Sequence, residues 1–198
     1  MSRVAELQGI VRQFELNGHP FYAEWKAGTL PAWLLAVYAD QYGHFIGTIA
    51  KGWETLGETF YADEEREHEV LWADFRRALG TTGNGLMPTT EILVTAARNL
   101  FATKPEAIGA LYAFEAQQPY TSKAKLDGLN EHYSVTEEGK EYFKVHADDV
   151  AEVELLEKYV EALSDVEFAR AKTACAIVCS SMYGALDGIY VSRQVTHA

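Results

Sequence analysis

Three stretches of this chain set carboxylates and imidazoles at helical spacing, which is how a helical protein can build a metal site. In the first, YADEEREHEVLW (61–72), Glu64 and Glu65 precede His68 by four and three residues, so either pair projects from one helix face. The second is Glu115, which follows the apolar run 110–114, where a solvated glutamate is not expected. The third, YFKVHADDVAEVE (142–154), crowds His146, two aspartates and two glutamates into what the spacing predicts to be mid-helix. On a continuous helix, Asp149 and Val150 lie beside His146, Val153 returns to its face, and Glu152 lies well round.

Carboxylates mixed with imidazoles are the ligands of non-haem iron or manganese, and the lack of thiolates argues against a structural zinc. Ferritin-like diiron proteins carry Glu-x-x-His on each of two helices. This chain has one such motif, Glu65 to His68, so that pattern is not met. Each stretch also has a plainer reading: a solvated, salt-bridged helix start, a core histidine, or a glutamate paired with an arginine. The functional reading gains from the groups falling on three separate long helices, which a bundle can bring together.

The elements that must position these residues are helical almost throughout. The spacing predicts helices over 3–16, around 21–26, from Pro31 to about 56, and over 62–79, with TTEILVTAARNLF capped by Thr89 or Thr90. A helix over 106–130 must be kinked or interrupted by Pro119. The capping boxes SVTE (134–137) and SDVE (164–167) open helices to about 163 and 193. The glycine-rich loop GTTGNGLMP lacks a preceding strand and a Lys-Ser/Thr, so it is not a phosphate cradle. No two-residue alternation is evident, so the fold class is an all-α bundle of about seven helices, in one domain spanning 1–198.

The chain has 198 residues, 48% of them hydrophobic, and a formal net charge of -12. An acidic surface of this strength repels nucleic acid and anionic lipid. The charged N-terminal segment does not read as a signal peptide, and no apolar run approaches the ~18 residues a membrane span needs. A cytoplasmic protein is expected. Cys175 and Cys179 then read as small buried apolar residues, with a redox or metal pair as the alternative.

The motifs HPFYAEWKAGTLP, YADQYGHF, DEE…H-x-x-LW, ALYAFEAQQP…K-x-K-x-x-GL…HY and YF-x-x-H follow one another over about 19–190. In this order the chain resembles the haem-oxygenase-like diiron oxidases, which share a fold with pyrroloquinoline-quinone synthase and the thiaminase-II proteins. It is most similar to the death-domain-associating protein subfamily, para-aminobenzoate synthases that consume their own side chains. The resemblance implies a haem-oxygenase-like bundle, often dimeric, that binds two iron ions (or manganese and iron) and activates dioxygen. It puts metal ligands at Glu64, His68, Glu115 and His146. It makes Tyr22 the ring donor and Lys125 the amine donor for para-aminobenzoate, a folate precursor.

The chain departs from this pattern twice. The segment from Glu64 to His68 is about three residues shorter than in the family. The family's His-x-x-x-Asp-x-x-His reads His146-Ala-Asp-Asp149-Val-Ala-Glu152 here, one residue short and without the last histidine. Ungapped, Val150 and Val153 fall on the ligand positions and leave one metal. With a one-residue gap Asp149 and Glu152 fall there and a second site survives. Two other functions fit the same fold: an iron oxidase with a separate small-molecule substrate, and a metal-free thiaminase-like hydrolase or binding protein.

Overall fold

A computed structural model describes residues 2–81, 83 and 85–193. Among these are eleven α-helices, one 3-10 turn (Leu16–Gly18) and no strand. The helices are α1 Arg3–Gln13, α2 Pro20–Lys26, α3 Ala32–Ile46, α4 Ile49–Leu56, α5 Thr59–Ala78, α6 Pro88–Leu100, α7 Lys104–Glu115, α8 Gln118–His132, α9 Glu137–His146, α10 Ala151–Ala162 and α11 Asp165–Ser192. The all-α class agrees with the sequence pattern.

The helices outnumber the seven or so expected because three expected helices are each broken in two. Between α3 and α4, the Thr48 hydroxyl donates to the Phe45 carbonyl at 2.6 Å and competes with the helical ladder. Between α7 and α8, Pro119 sits in the first turn of the new helix, where its missing N–H costs nothing. Between α9 and α10, the Asp149 carboxylate accepts from the Ala151 N–H at 2.9 Å and opens a new helix.

The caps differ in detail from the pattern. Ser164 and Glu167 form the expected box at the start of α11. The helix expected to open at Ser134 is capped by Thr136 instead, whose hydroxyl accepts from Gly139 N–H. α6 begins on Pro88 with Met87 as its cap residue, so neither Thr89 nor Thr90 caps it.

The bundle is built around α7. Every residue from Ala107 to Glu115 is buried. α11 packs along α7 and α6, α5 packs against α9 and α4, and α8 against α9 and α2. A Cβ on Gly109 would lie 1.9 Å from the Ala171 carbonyl oxygen, so the backbones of α7 and α11 touch where only glycine fits. Among the described residues one helix, α11, is long and apolar enough to cross a membrane, contrary to the expectation of none. Packing on α7 and α6 accounts for its apolar character: 44% of that window is buried in the bundle.

Candidate metal centre

Four helices contribute to one buried cluster. Glu65 and His68 stand on α5, Glu115 is the last residue of α7, His146 the last of α9, and Glu152 lies in the first turn of α10. The ligand atoms of Glu65, His68 and His146 all lie within 4.8 Å of one another. Those of Glu65, Glu115 and Glu152 do so as well, so Glu65 belongs to both triads. The breaks in the chain make this convergence. Glu115 and His146 end their helices, and Glu152 sits at a helix N-terminus, where the dipole favours a carboxylate.

The cluster is polar, largely buried and unsatisfied. Both oxygens of Glu65 and of Glu115, Nδ1 of His68 and Nε2 of His146 are buried with no hydrogen-bond partner. Glu65 Oε2 approaches His68 Nδ1 only to 3.6 Å. Groups buried this way cost roughly 1–3 kcal/mol each, more if charged. Burial and the Glu152 and Glu65 carboxylates push Glu115 well above the usual carboxylate range. Burial, Glu65, Asp149 and Glu64 raise Glu152 to about 9. Burial and the neighbouring His68 bring His146 down to about 3, which keeps it a neutral imidazole.

One contact sets the tautomer of His146. Its Nδ1–H donates to the Tyr142 carbonyl at 2.6 Å, which turns the lone pair of Nε2 toward the cluster. Such an outer bond is the usual companion of a metal-bound histidine. Orphaned carboxylate oxygens and imidazole nitrogens, three carboxylates in mutual repulsion and an oriented neutral histidine fit a divalent cation.

The structure brings His68, Glu115, His146 and Glu152 together and leaves out Glu64 and Asp149. On α5 the inward residue is Glu65, fully buried on the stripe of Ala62, Trp72 and Phe75. Glu64 is half-buried and lines a surface pocket instead. Asp149 is exposed, and its carboxylate is engaged at the start of α10. Glu152, well round on a continuous helix, is carried inward because the helix restarts at Ala151. Val150 is 51% exposed and Val153 half-buried, so neither valine takes a ligand's place. Glu65 has a sequence signature of its own: it precedes Trp72 by seven residues, as His68 precedes Phe75.

Tyr22 and Lys125 meet deep in the bundle, each 3% exposed. Lys125 Nζ lies 4.7 Å from the centre of the Tyr22 ring, with the rings of Tyr42, Tyr38 and Phe143 at 5.6, 5.9 and 5.9 Å. Burial lowers Lys125 to about 7, so at neutral pH much of it is a free amine. The Tyr22 hydroxyl shares a 2.8 Å hydrogen bond with that of Tyr38. A continuous aromatic wall joins this pair to the metal cluster. Tyr38 and Tyr42 pack on Trp72 at 5.8 and 5.6 Å, Trp72 on Tyr142 at 4.7 Å, and Tyr142 on His146 at 4.2 Å. Gln118 fixes Tyr142 by donating to its hydroxyl at 2.7 Å. Sequence reasoning passed over Tyr38, Tyr42, Trp72 and Gln118, because aromatic residues at helical spacing read as core.

The cysteines do not supply a nucleophile. Both are buried, and the hydrogen bond to Cys179, with burial, pushes the Cys175 thiol up.

The helices superpose on a domain with a haem-oxygenase-like fold from Shewanella denitrificans, at a TM-score of 0.76 and 17% identity, covering 96% of this chain and 93% of that one. The class is thus a haem-oxygenase-like bundle carrying a carboxylate–histidine centre. Residues 21–176 match the iron-containing redox enzymes, and the chain belongs to that family. It is 29% identical to a 4-aminobenzoate synthase of Nitrosomonas europaea, over 93% of this chain and 89% of the relative. A 4-aminobenzoate synthase of Chlamydia muridarum is 27% identical, over 100% of this chain and 94% of the relative.

Proposed function

We propose that this protein is a single-turnover, iron-dependent oxidase that assembles 4-aminobenzoate from its own Tyr22 and Lys125. The observation that carries this reading is the buried contact between the Lys125 amine and the Tyr22 ring, 4.7 Å apart. A ring donor and an amine donor are already held together, and four aromatic rings pack around the amine where a separate substrate would have to fit. Two relatives named 4-aminobenzoate synthase, matched along nearly their whole length, support the same reading.

Glu65, His68 and His146 would hold one ion and Glu65, Glu115 and Glu152 a second, with Glu65 common to both sets. When bound, the metal supplies activation of dioxygen, the oxidant of the reaction. The chain's own residues position and protect the reacting groups. Burial brings Lys125 down to about 7, so near neutral pH a substantial share of it is a free amine whose nitrogen lone pair can attack. Tyr38 is the hydroxyl partner to or from which the phenolic proton of Tyr22 can pass. Trp72, Tyr142 and Phe143 exclude water between the metal cluster and the ring. Product formation requires that the Tyr22 Cα–Cβ and phenolic C–O bonds and the Lys125 Cε–Nζ bond break. A new bond then joins the lysine nitrogen to the ring carbon that carried the hydroxyl. Cβ leaves as the carboxylate carbon and the phenolic oxygen leaves as water. Lys125 Cε is left as an aldehyde and Tyr22 Cα keeps a hydrogen in place of its side chain; the six electrons released pass to dioxygen.

The test is isotopic. Protein carrying ring-13C tyrosine and ε-15N lysine is loaded with ferrous iron and exposed to air in unlabelled buffer. We expect at most one 4-aminobenzoate per chain, carrying both labels, and chain fragments altered at residues 22 and 125. Unlabelled product, or many turnovers per chain, would overturn the proposal.

A further inference from the structure

A second feature bears on how this centre receives its metal. A surface cavity of about 460 Å³ opens between α5 and the α9–α10 break. Its floor is His68, whose side chain is 15% exposed and is the only member of the cluster to line the cavity. Its rim carries the carboxylates of Glu64, Glu67 and Asp149. Val70 and Val145 supply apolar wall. Behind His68, its ring 4.3 Å away, lies His146, 2% exposed and with an unpartnered Nε2. The other triad, Glu65, Glu115 and Glu152, is sealed, at 0%, 1% and 6% exposure.

The rim acids differ from Asp63 and Asp74 of α5 in one respect. Asp63 pairs with Arg66 and Asp74 with Arg77, whereas no lysine or arginine forms an ion pair with Glu64, Glu67 or Asp149 among the described residues. Three uncompensated negative charges around a small opening attract cations and raise their local concentration. The cavity is also large enough to admit a hydrated ion. A divalent ion with six waters, at about 30 Å³ per water, needs roughly 200 Å³. Aliphatic walls offer no ligand to hold the ion on the way, and His68 offers the first nitrogen.

We infer that this cavity is the metal-loading port of the centre, and that the two metal positions fill in order through it. The Glu64–Glu67–Asp149 rim would gather a hydrated divalent cation, His68 would offer it the first nitrogen, and the all-carboxylate triad would hold it within. A second cation then occupies the outer triad with His68 and His146. The outer ion stays within reach of solvent and the inner ion does not. This inference rests on the metal site proposed above.

The experiment uses the full chain, stripped of metal, with Co²⁺ as an absorbing probe, in stopped flow at low salt. Wild type should show two phases of uptake and release one ion to a chelator much faster than the other. The Glu67→Gln/Asp149→Asn variant should reach the same final stoichiometry, with the bimolecular uptake rate about 3- to 10-fold lower at low salt. That gap should close at about 0.5 M salt, as screening predicts. Val145→Arg, at a position 44% exposed, puts a positive charge at the opening and should slow uptake further. Equal uptake rates in wild type and both variants, at unchanged stoichiometry, would refute the port. Equal release of both ions would refute the order of filling. A wild type that takes up no Co²⁺ at equilibrium would remove the metal site itself, a different failure.

Discussion

Lys125 holds its amine 4.7 Å from the centre of the Tyr22 ring, and no ion pair or hydrogen bond accompanies that amine among the described residues. A buried lysine surrounded by rings is pulled two ways. Attraction to aromatic faces favours the ammonium by about 1–2 kcal/mol, and desolvation opposes it. Desolvation wins here and brings the group down to about 7.

That balance predicts a pH-dependent cost in stability. Between about 7 and 10.5 the unfolded chain keeps the lysine proton and the folded chain does not. Stability therefore rises with pH across this window and has lost its full share below about 7. Lys125→Met should be more stable than wild type at pH 6, by on the order of 4 kcal/mol, with most of the difference gone by pH 10. Urea unfolding at the two pH values measures it. A constant difference would show that desolvation of the ammonium is not the cause.

Glu65 and Glu64 make a sharp pair. Glu65→Ala removes the residue shared by both triads and should reduce ferrous binding to well below one ion per chain. Glu64→Ala should retain the stoichiometry of wild type and change only how fast metal arrives. Elemental analysis after anaerobic reconstitution separates the two. The reverse pattern would restore Glu64 as the ligand.

Glu115 trades apo stability for metal. Its carboxylate is buried beside two others, so Glu115→Gln relieves repulsion in the metal-free protein. We expect Tm of the metal-free variant to rise by a few degrees, the scale of about 1 kcal/mol in a protein of this size. The rise in Tm that ferrous iron gives wild type should shrink markedly. A variant that gains as much from iron as wild type would remove Glu115 from the ligands.

Tyr38→Phe tests the hydroxyl pair. The change deletes the one hydrogen-bond partner that the Tyr22 hydroxyl has among the described residues and leaves the aromatic packing in place. Stability should fall by about 1–2 kcal/mol. Product per chain should fall at least tenfold if Tyr38 handles the Tyr22 proton, and metal content should stay unchanged. Full product yield would make Tyr38 a packing residue only.

Gly109→Ala should be among the most damaging single substitutions outside the centre. The new methyl would sit 1.9 Å from the Ala171 carbonyl oxygen, and both atoms involved belong to packed helices that cannot yield cheaply. We expect a loss of more than about 3 kcal/mol by chemical denaturation, a cost typical of overpacking at its upper end.

Much of this protein was legible in its amino acids. Helical periodicity and the absence of alternation determined an all-α bundle. Glu115 stood out as a carboxylate where a core was due, His68 and His146 as imidazoles among carboxylates at helical spacing, and the structure places all three in one cluster. Tyr22 and Lys125 were picked out by resemblance alone, and 103 residues of chain separate two side chains that touch.

The rest required the tertiary structure, for a physical reason in each case. Glu64 and Glu65 sit equally well beside His68 along one helix, so local spacing cannot choose between them. The choice falls to whichever side of α5 faces α7 and α9, and that side carries Glu65. Asp149 and Glu152 were assigned through the resemblance, with a one-residue gap; on an unbroken helix, in which each residue turns about 100° from the last, Asp149 lies beside His146 and Glu152 well round. The stop after His146 and the restart at Ala151 reset that phase, sending Asp149 to solvent and Glu152 inward. Periodicity reports which residues share a face only while the hydrogen-bond ladder runs on. Here the metal centre is assembled at the places where it stops.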